Sequence, residues 1–131
     1  MKLLKKKPRI YKTGVNFDIL IKDCGSVFLE NNEQITFLTK NKKKEYDVCR
    51  TKWGFYATPS INGRLKKFNF KTALTKNSQG KFYILIVEKD KVHLFKKYLE
   101  KDNIKLVSWL DEDLGSKFEK LKKTRTTKIA N

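Results

Sequence analysis

Phe68-Asn69-Phe70-Lys71-Thr72-Ala73-Leu74-Thr75-Lys76-Asn77-Ser78-Gln79-Gly80-Lys81-Phe82-Tyr83-Ile84-Leu85-Ile86-Val87-Glu88 is the stretch whose pattern decides the fold. Phe68, Phe70, Thr72 and Leu74 alternate with other residues at the period of a strand that buries one face. Asn77-Ser78-Gln79-Gly80 carries turn chemistry, since Asn and Ser bond to nearby backbone and Gly accepts left-handed geometry. Lys81 to Glu88 then returns as a second strand. Phe82 to Val87 is apolar on both sides of the pleat, which predicts a central strand covered on both faces.

Downstream, Asp90 can cap a helix that runs through Lys101, with Val92, Phe95 and Leu99 on one face and Leu94 and Tyr98 widening it. Ile104 to Leu110 reads as a strand, so residues 81–110 have the length of a compact strand–helix–strand crossover. Asp111-Glu112-Asp113 fits the start of a last helix, where acids interact favourably with the dipole and Leu114, Phe118 and Leu121 share a face.

Upstream, Val15, Phe17, Ile19 and Ile21 alternate with Asn16, Asp18 and Lys22, predicting a strand over 15–22. Gly25 allows a turn. Val27 to Leu29 and Ile35 to Leu38 then read as two short strands joined at Asn31-Asn32. A basic loop, Lys40 to Lys44, leads into Tyr46 to Ala57, which is rich in aromatic and β-branched residues and bends at Gly54. Thr58-Pro59-Ser60 resembles a helix start, with Thr58 as N-cap and Pro59 in the first helical position, and predicts a short helix to about Lys67. The fold class is therefore α+β: a mainly antiparallel sheet of about five to seven strands with two or three short helices and flexible basic termini.

At 131 residues the chain is one domain, long enough to bury a core without disulfides or a structural metal. Two cysteines and one histidine cannot build the usual four-ligand zinc site, and Cys24 and Cys49 lack a CxxC spacing. The net charge is +17, from 31 Lys and Arg against 14 Asp and Glu. Residues 1–12 hold six basic side chains and no acid, and residues 114–131 hold six with Glu119 alone opposing them. Such runs repel themselves and bury little apolar area, so 1–12 reads as a basic arm, 13–123 as the domain and 124–131 as a flexible basic tail. Lysine supplies 27 of the basic residues, as an AT-rich genome would also produce, but that drift does not explain why both ends lack acids.

No apolar run reaches membrane-spanning length, and the first residues break the continuous apolar region of a signal peptide with charges, so a cytoplasmic location is expected. No GxGxxG or GxxxxGK[ST] pattern occurs. His93 lies in a Lys-rich helix without a neighbour to position it as a base, and the chain reads as non-catalytic, with neither metal nor cofactor.

The candidate site is Lys52-Trp53-Gly54-Phe55-Tyr56-Ala57-Thr58-Pro59-Ser60 with Asn62 and Arg64. Aromatic faces beside cations suit stacking on bases, worth about 1–3 kcal/mol each. The same pattern also fits a strand with Trp53 and Phe55 in the core. A helix start with Ser60 and Arg64 suits a phosphate, or it merely caps. Lys42, Lys43, Lys44, Arg50, Lys52, Arg64, Lys66, Lys67 and Lys71 form one patch if the 40–44 loop and the short helix share a side of the sheet. The expected nucleic-acid-binding set is Arg50, Lys52, Trp53, Tyr56, Ser60, Arg64, Lys66 and Lys67. The expected function is a small non-catalytic module that binds a polyanion, RNA or DNA foremost, with little sequence preference. The competing expectation is a protein-interaction or accessory subunit, a homodimer or part of a larger complex, joined through a strand edge at Lys105 to Leu110 or Val15 to Ile21.

Overall fold

The computed structural model describes residues 1–41 and 43–112. The chain is α+β, with eight strands arranged as a two-stranded ribbon and two three-stranded antiparallel sheets. Strands β1 (Lys2–Thr13) and β2 (Ile19–Phe28) form the ribbon; β3 (Gln34–Leu38), β4 (Glu45–Thr51) and β5 (Gly54–Ala57) form a meander. Helix α1 (Arg64–Lys67) leads into β6 (Phe70–Lys76) and β7 (Phe82–Glu88), and helix α2 (Val92–Lys101) connects β7 to β8 (Lys105–Trp109).

The 68–88 hairpin forms as its pattern predicts, with Phe70 opposite Glu88 and Lys76 opposite Phe82. Asn77 closes it: its carboxamide oxygen accepts the N–H groups of Gln79 and Lys81 at 3.0 and 2.9 Å. The central strand is β6, however, not β7, because β8 pairs with the other edge of β6. As both neighbours run antiparallel to β6, β7 and β8 are parallel to each other with β6 between them. This is the crossover expected over 81–110, split by a strand. One face of β7 packs under α2, but its outer edge is open and Phe82, Tyr83 and Ile84 are exposed.

The core lies between this sheet and α2. Ala73, Val87, Phe95 and Leu99 are buried, with Leu85, Val92, Ile104, Leu106 and Trp109 packed around them. Each large apolar side chain fully buried there contributes about 1.5–3 kcal/mol. The Phe95 ring lies 5.7 Å from that of Trp109. Val92, Phe95 and Leu99, predicted from spacing to share a face of α2, do face the core, but Leu94 and Tyr98, expected to widen it, are exposed, so the buried stripe is narrower than predicted. The start of α2 differs: a 3-10 turn over Lys89–Lys91 precedes it and Asp90 makes no capping bond.

Three upstream expectations are corrected. The strand predicted over 15–22 begins only at Ile19. Gly14 takes φ +92° and Phe17 φ +52°, and the Phe17 N–H donates to the Gly14 carbonyl, so Val15 and Phe17 sit exposed in the ribbon's turn. Gly25 is no turn; it lies within β2, where the Leu4 carbonyl approaches so closely that a Cβ would stand 2.5 Å from it. The two short strands expected to pair across Asn31-Asn32 do not pair: residues 27–28 belong to β2 beside β1, and β3 pairs with β4. The basic arm, residues 1–12, takes the form of a ribbon strand because β2 supplies partners along its length, apart from a register shift between Lys5 and Arg9. Its side chains remain exposed. The final helix with Leu114, Phe118 and Leu121, and the tail 124–131, lie outside the described residues.

The helix predicted from Thr58 starts at Arg64 and lasts one turn. Thr58 instead faces the meander: its N–H donates to the Asp47 carbonyl and its hydroxyl to the Asp47 carboxylate, at 3.1 and 3.3 Å. The 45–57 segment does form the predicted meander, with Gly54 at φ +153° opening β5 after a tight turn at Lys52-Trp53.

Candidate functional site

The β4–β5 hairpin holds the aromatic segment. Its register places Arg50 opposite Phe55 and Thr51 opposite Gly54. The Arg50 guanidinium folds back along the turn, where Nη1 donates to the carbonyls of Thr51 and Gly54 at 2.8 and 2.9 Å, and the Thr51 hydroxyl donates to the same Gly54 carbonyl at 2.9 Å. These bonds stiffen the turn through its backbone and leave its side chains free. Trp53 is 74% exposed, Phe55 67% and Tyr56 51%. The rings of Trp53 and Tyr56 meet edge to face at 6.4 Å, and the Arg50 guanidinium lies 5.2 Å over the Phe55 ring.

Strand alternation divides these rings between two faces. Arg50, Val48 and Tyr46 share a face of β4, and the register brings Phe55 and Ala57 beside them from β5 and Ile35 and Phe37 from β3. Phe37 is itself exposed. The opposite face carries Asp47, Cys49, Thr36 and Tyr56. One side of the meander is thus an open aromatic face holding an arginine, while Tyr56, with Trp53 edge-on to it at the hairpin tip, lies on the other side. The possibility that Trp53 and Phe55 are core residues is overturned by their exposure.

Of the expected set, Arg50, Lys52, Trp53 and Tyr56 lie on one hairpin, but only Trp53 and Tyr56 touch, and Tyr56 is on the face opposite Arg50. Arg64 does not join them. Its Nη1 lies 2.5 Å from Oδ2 of the buried Asp47, and its Nη2 donates to the Thr58 hydroxyl at 2.8 Å. Burial pushes the Asp47 carboxyl up, but hydrogen bonds from Thr36 and Arg64, the Arg64 charge and a bond from Thr58 outweigh it and hold the group below its usual value. Arg64 is therefore the counter-ion of a buried carboxylate. Ser60 accepts the Arg64 N–H on its hydroxyl at 3.3 Å from outside α1, whose N-cap is Gly63, and the helix is too short to gather a phosphate.

The wider basic patch is also divided. Lys44 pairs with Glu88 and Asp90 at 3.1 and 3.6 Å. Lys71 pairs with Asp111 and Glu112 at 3.0 and 3.1 Å while lying 4.7 Å over the Trp109 ring. Lys66 reaches the Asp111 carbonyl at 3.5 Å. Lys43 and Lys67 are exposed, and Lys42 lies outside the described residues. Asp111, read from sequence as a helix-start acid, is buried and accepts the Thr72 N–H at 2.9 Å.

Phe37 is the site residue that sequence reasoning missed; its alternation within Ile35–Leu38 was visible, but its register against Tyr46 was not. His93 is exposed on α2, Cys24 and Cys49 are free thiols, and no cluster of three metal-ligating side chains occurs among the described residues. Comparison with protein-family models, with curated proteins and with solved structures gives no match to this chain.

Proposed function

We propose that this chain is a small non-catalytic module that binds polyanions, single-stranded RNA or DNA foremost, with little sequence preference. The observation that carries the reading is the exposure of Trp53, Phe55 and Tyr56 on a hairpin that also presents Lys52 and holds the half-buried Arg50 over the Phe55 ring. Rings left in water forgo burial worth about 1.5–3 kcal/mol each, which stacking on a base recovers in part without reading its identity. The ribbon supplies phosphate contacts: on its fully exposed face Lys12 stands opposite Leu20, Lys22 opposite Ile10, and Lys2 opposite Phe28. Arg64, Lys66 and Ser60 take supporting structural roles, while Lys67, the last residue of α1, is exposed and forms no ion pair among the described residues. No described helix is long and apolar enough to cross a membrane. A cytoplasmic location completes the proposal.

Trp53→Ala tests it. Affinity for a thymidine oligonucleotide should fall about tenfold, equivalent to roughly 1.4 kcal/mol, with far-UV circular dichroism unchanged. Unchanged affinity in this variant would remove the hairpin from the interface.

A second reading, the interaction subunit, is favoured by the sheet order β7-β6-β8, which leaves two edges unpaired among the described residues: β8, the edge expected from sequence, with exposed Val107, and β7, with exposed Phe82, Tyr83 and Ile84. Sedimentation of nucleic-acid-free protein separates the two, since an edge-paired dimer would dissociate in Ile84→Lys while the stacking hairpin would be unaffected.

A further inference from the structure

A cleft of about 490 Å³ opens where the ribbon's turn meets the β6–β7 turn and the end of α2. Val15 of the ribbon's turn, Asn77 of the β6–β7 turn, and Tyr83, Tyr98 and Asp102 line it. None of these residues belongs to the aromatic hairpin. From this geometry we infer that the cleft is a binding site for a small organic cation, an alkylammonium or guanidinium group, held by the Asp102 carboxylate between the rings of Tyr83 and Tyr98.

Asp102 is 6% exposed, and no salt bridge reaches it among the described residues. Its Oδ1 receives only the Val15 N–H at a long 3.4 Å, and Oδ2 accepts no hydrogen bond from the described residues. The neighbouring Lys101 is turned away to Asp18. A carboxylate so buried without a counter-ion among the described residues is costly, and its position makes it more so, because Asp102 is the C-cap of α2, at the negative end of the helix dipole. Both features favour a positive charge in the cleft. Tyr83 and Tyr98 supply what an organic cation needs beyond the charge: they are partly open rings whose faces attract cations. Burial pushes the Tyr98 hydroxyl up, with the Asp102 charge and Tyr83 adding to the effect, so the three groups share one environment. Inorganic metal ions fit less well, since the cleft offers one carboxylate among neutral side chains. The +17 charge of the chain does not govern the site at physiological ionic strength, where fields are screened over about 8 Å.

Calorimetry and proton NMR of the full chain with agmatine, in physiological salt, test the site. A capped Gly-Arg-Gly peptide is the second arm, and isoamyl alcohol is the neutral control of similar bulk. Saturable agmatine binding with shifts at the tyrosine rings is expected, reduced at least tenfold in Asp102→Asn and several-fold in Tyr83→Leu. Stronger binding of the peptide would support the site and assign it to an arginine side chain, whereas stronger binding of agmatine would support it and assign it to a free small-molecule cation. Should Asp102→Asn not fold, Tyr83→Leu, an exposed position, carries the test alone. Absence of saturable binding, equal binding of the alcohol, or wild-type affinity in the folded variants would overturn the inference. Because the readout contains no nucleic acid, its failure leaves the hairpin proposal untouched.

Discussion

Arg64 reaches across from α1 to the buried Asp47 in the middle strand of the meander, and this ion pair docks the helix on the face opposite the Arg50–Phe55 pair. Asp47 is 2% exposed, whereas the Arg64 side chain keeps 41% of its surface in water. Removing the cation strands a buried charge, but water can reach part of the vacated space. Arg64→Ala is therefore expected to cost about 2 kcal/mol in urea unfolding, below the range for fully buried pairs. Arg64→Lys should recover only part, because lysine cannot serve Asp47 and Thr58 together with one planar fork. In whichever variant stays folded, oligonucleotide affinity should change by less than about twofold, since Arg64 and the hairpin rings share no partner.

Acid should unfold the protein through two carboxylates. At both Asp47 and Asp111 burial raises the carboxyl pKa and is outweighed. At Asp111 this is done by the Thr72 N–H and by Lys71, and both groups end below the ordinary 3.8. A depressed folded-state pKa contributes stability that is present above the unfolded value and lost as pH falls through the folded one. Stability should hold between about pH 5 and 8 and decline below about pH 4. Lys71 has the opposite sign: burial lowers it, Asp111 and Glu112 raise it further, and its contribution is lost only as pH rises past its elevated pKa. Asp111→Asn should flatten the acid limb of a pH series of thermal melts. An unaltered limb would show that Asp111 is not one of its sources.

Gly25 tests the ribbon. With φ at +149° and the Leu4 carbonyl 2.5 Å from where a Cβ would stand, alanine there must displace β1 backbone. Gly25→Ala should cost about 1–3 kcal/mol, the usual scale for strained backbone, but only locally, because the ribbon buries little. Amide exchange should quicken across Lys2–Phe28 while β6 and α2 keep their protection. A matching loss of protection in β6 would contradict this separation.

The parts of the fold legible in sequence are those with local causes. Asn77 to Gly80 turns the chain by its own bonds, and Phe95 and Leu99 recur at helical spacing, so the 68–88 hairpin and α2 could be read directly. Strand neighbours could not. An apolar run such as Phe82 to Val87 looks the same in a central strand as on an edge with one covered face, and only the return of β8 to the far side of β6 separates them. Thr58-Pro59-Ser60 misled because the hydroxyl that caps helices also bonds carboxylates, and Asp47 lies eleven residues away. For the site, the aromatic residues were legible by type, their exposure was not. Arg64 reads as a ligand in sequence because its partner Asp47, seventeen residues away, is not visible there.

Binding of a short single-stranded oligonucleotide over a salt series, comparing the native chain with Trp53→Ala/Phe55→Ala, tests the stacking hairpin most directly. The slope against log salt reports phosphate contacts, and the affinity extrapolated to 1 M salt reports what is not electrostatic. The expected result is an unchanged slope with the 1 M affinity lowered by about two orders of magnitude, from two lost stacking rings. Superimposable lines for the two proteins would contradict the hairpin's role and leave the charge of the chain as the only basis for binding.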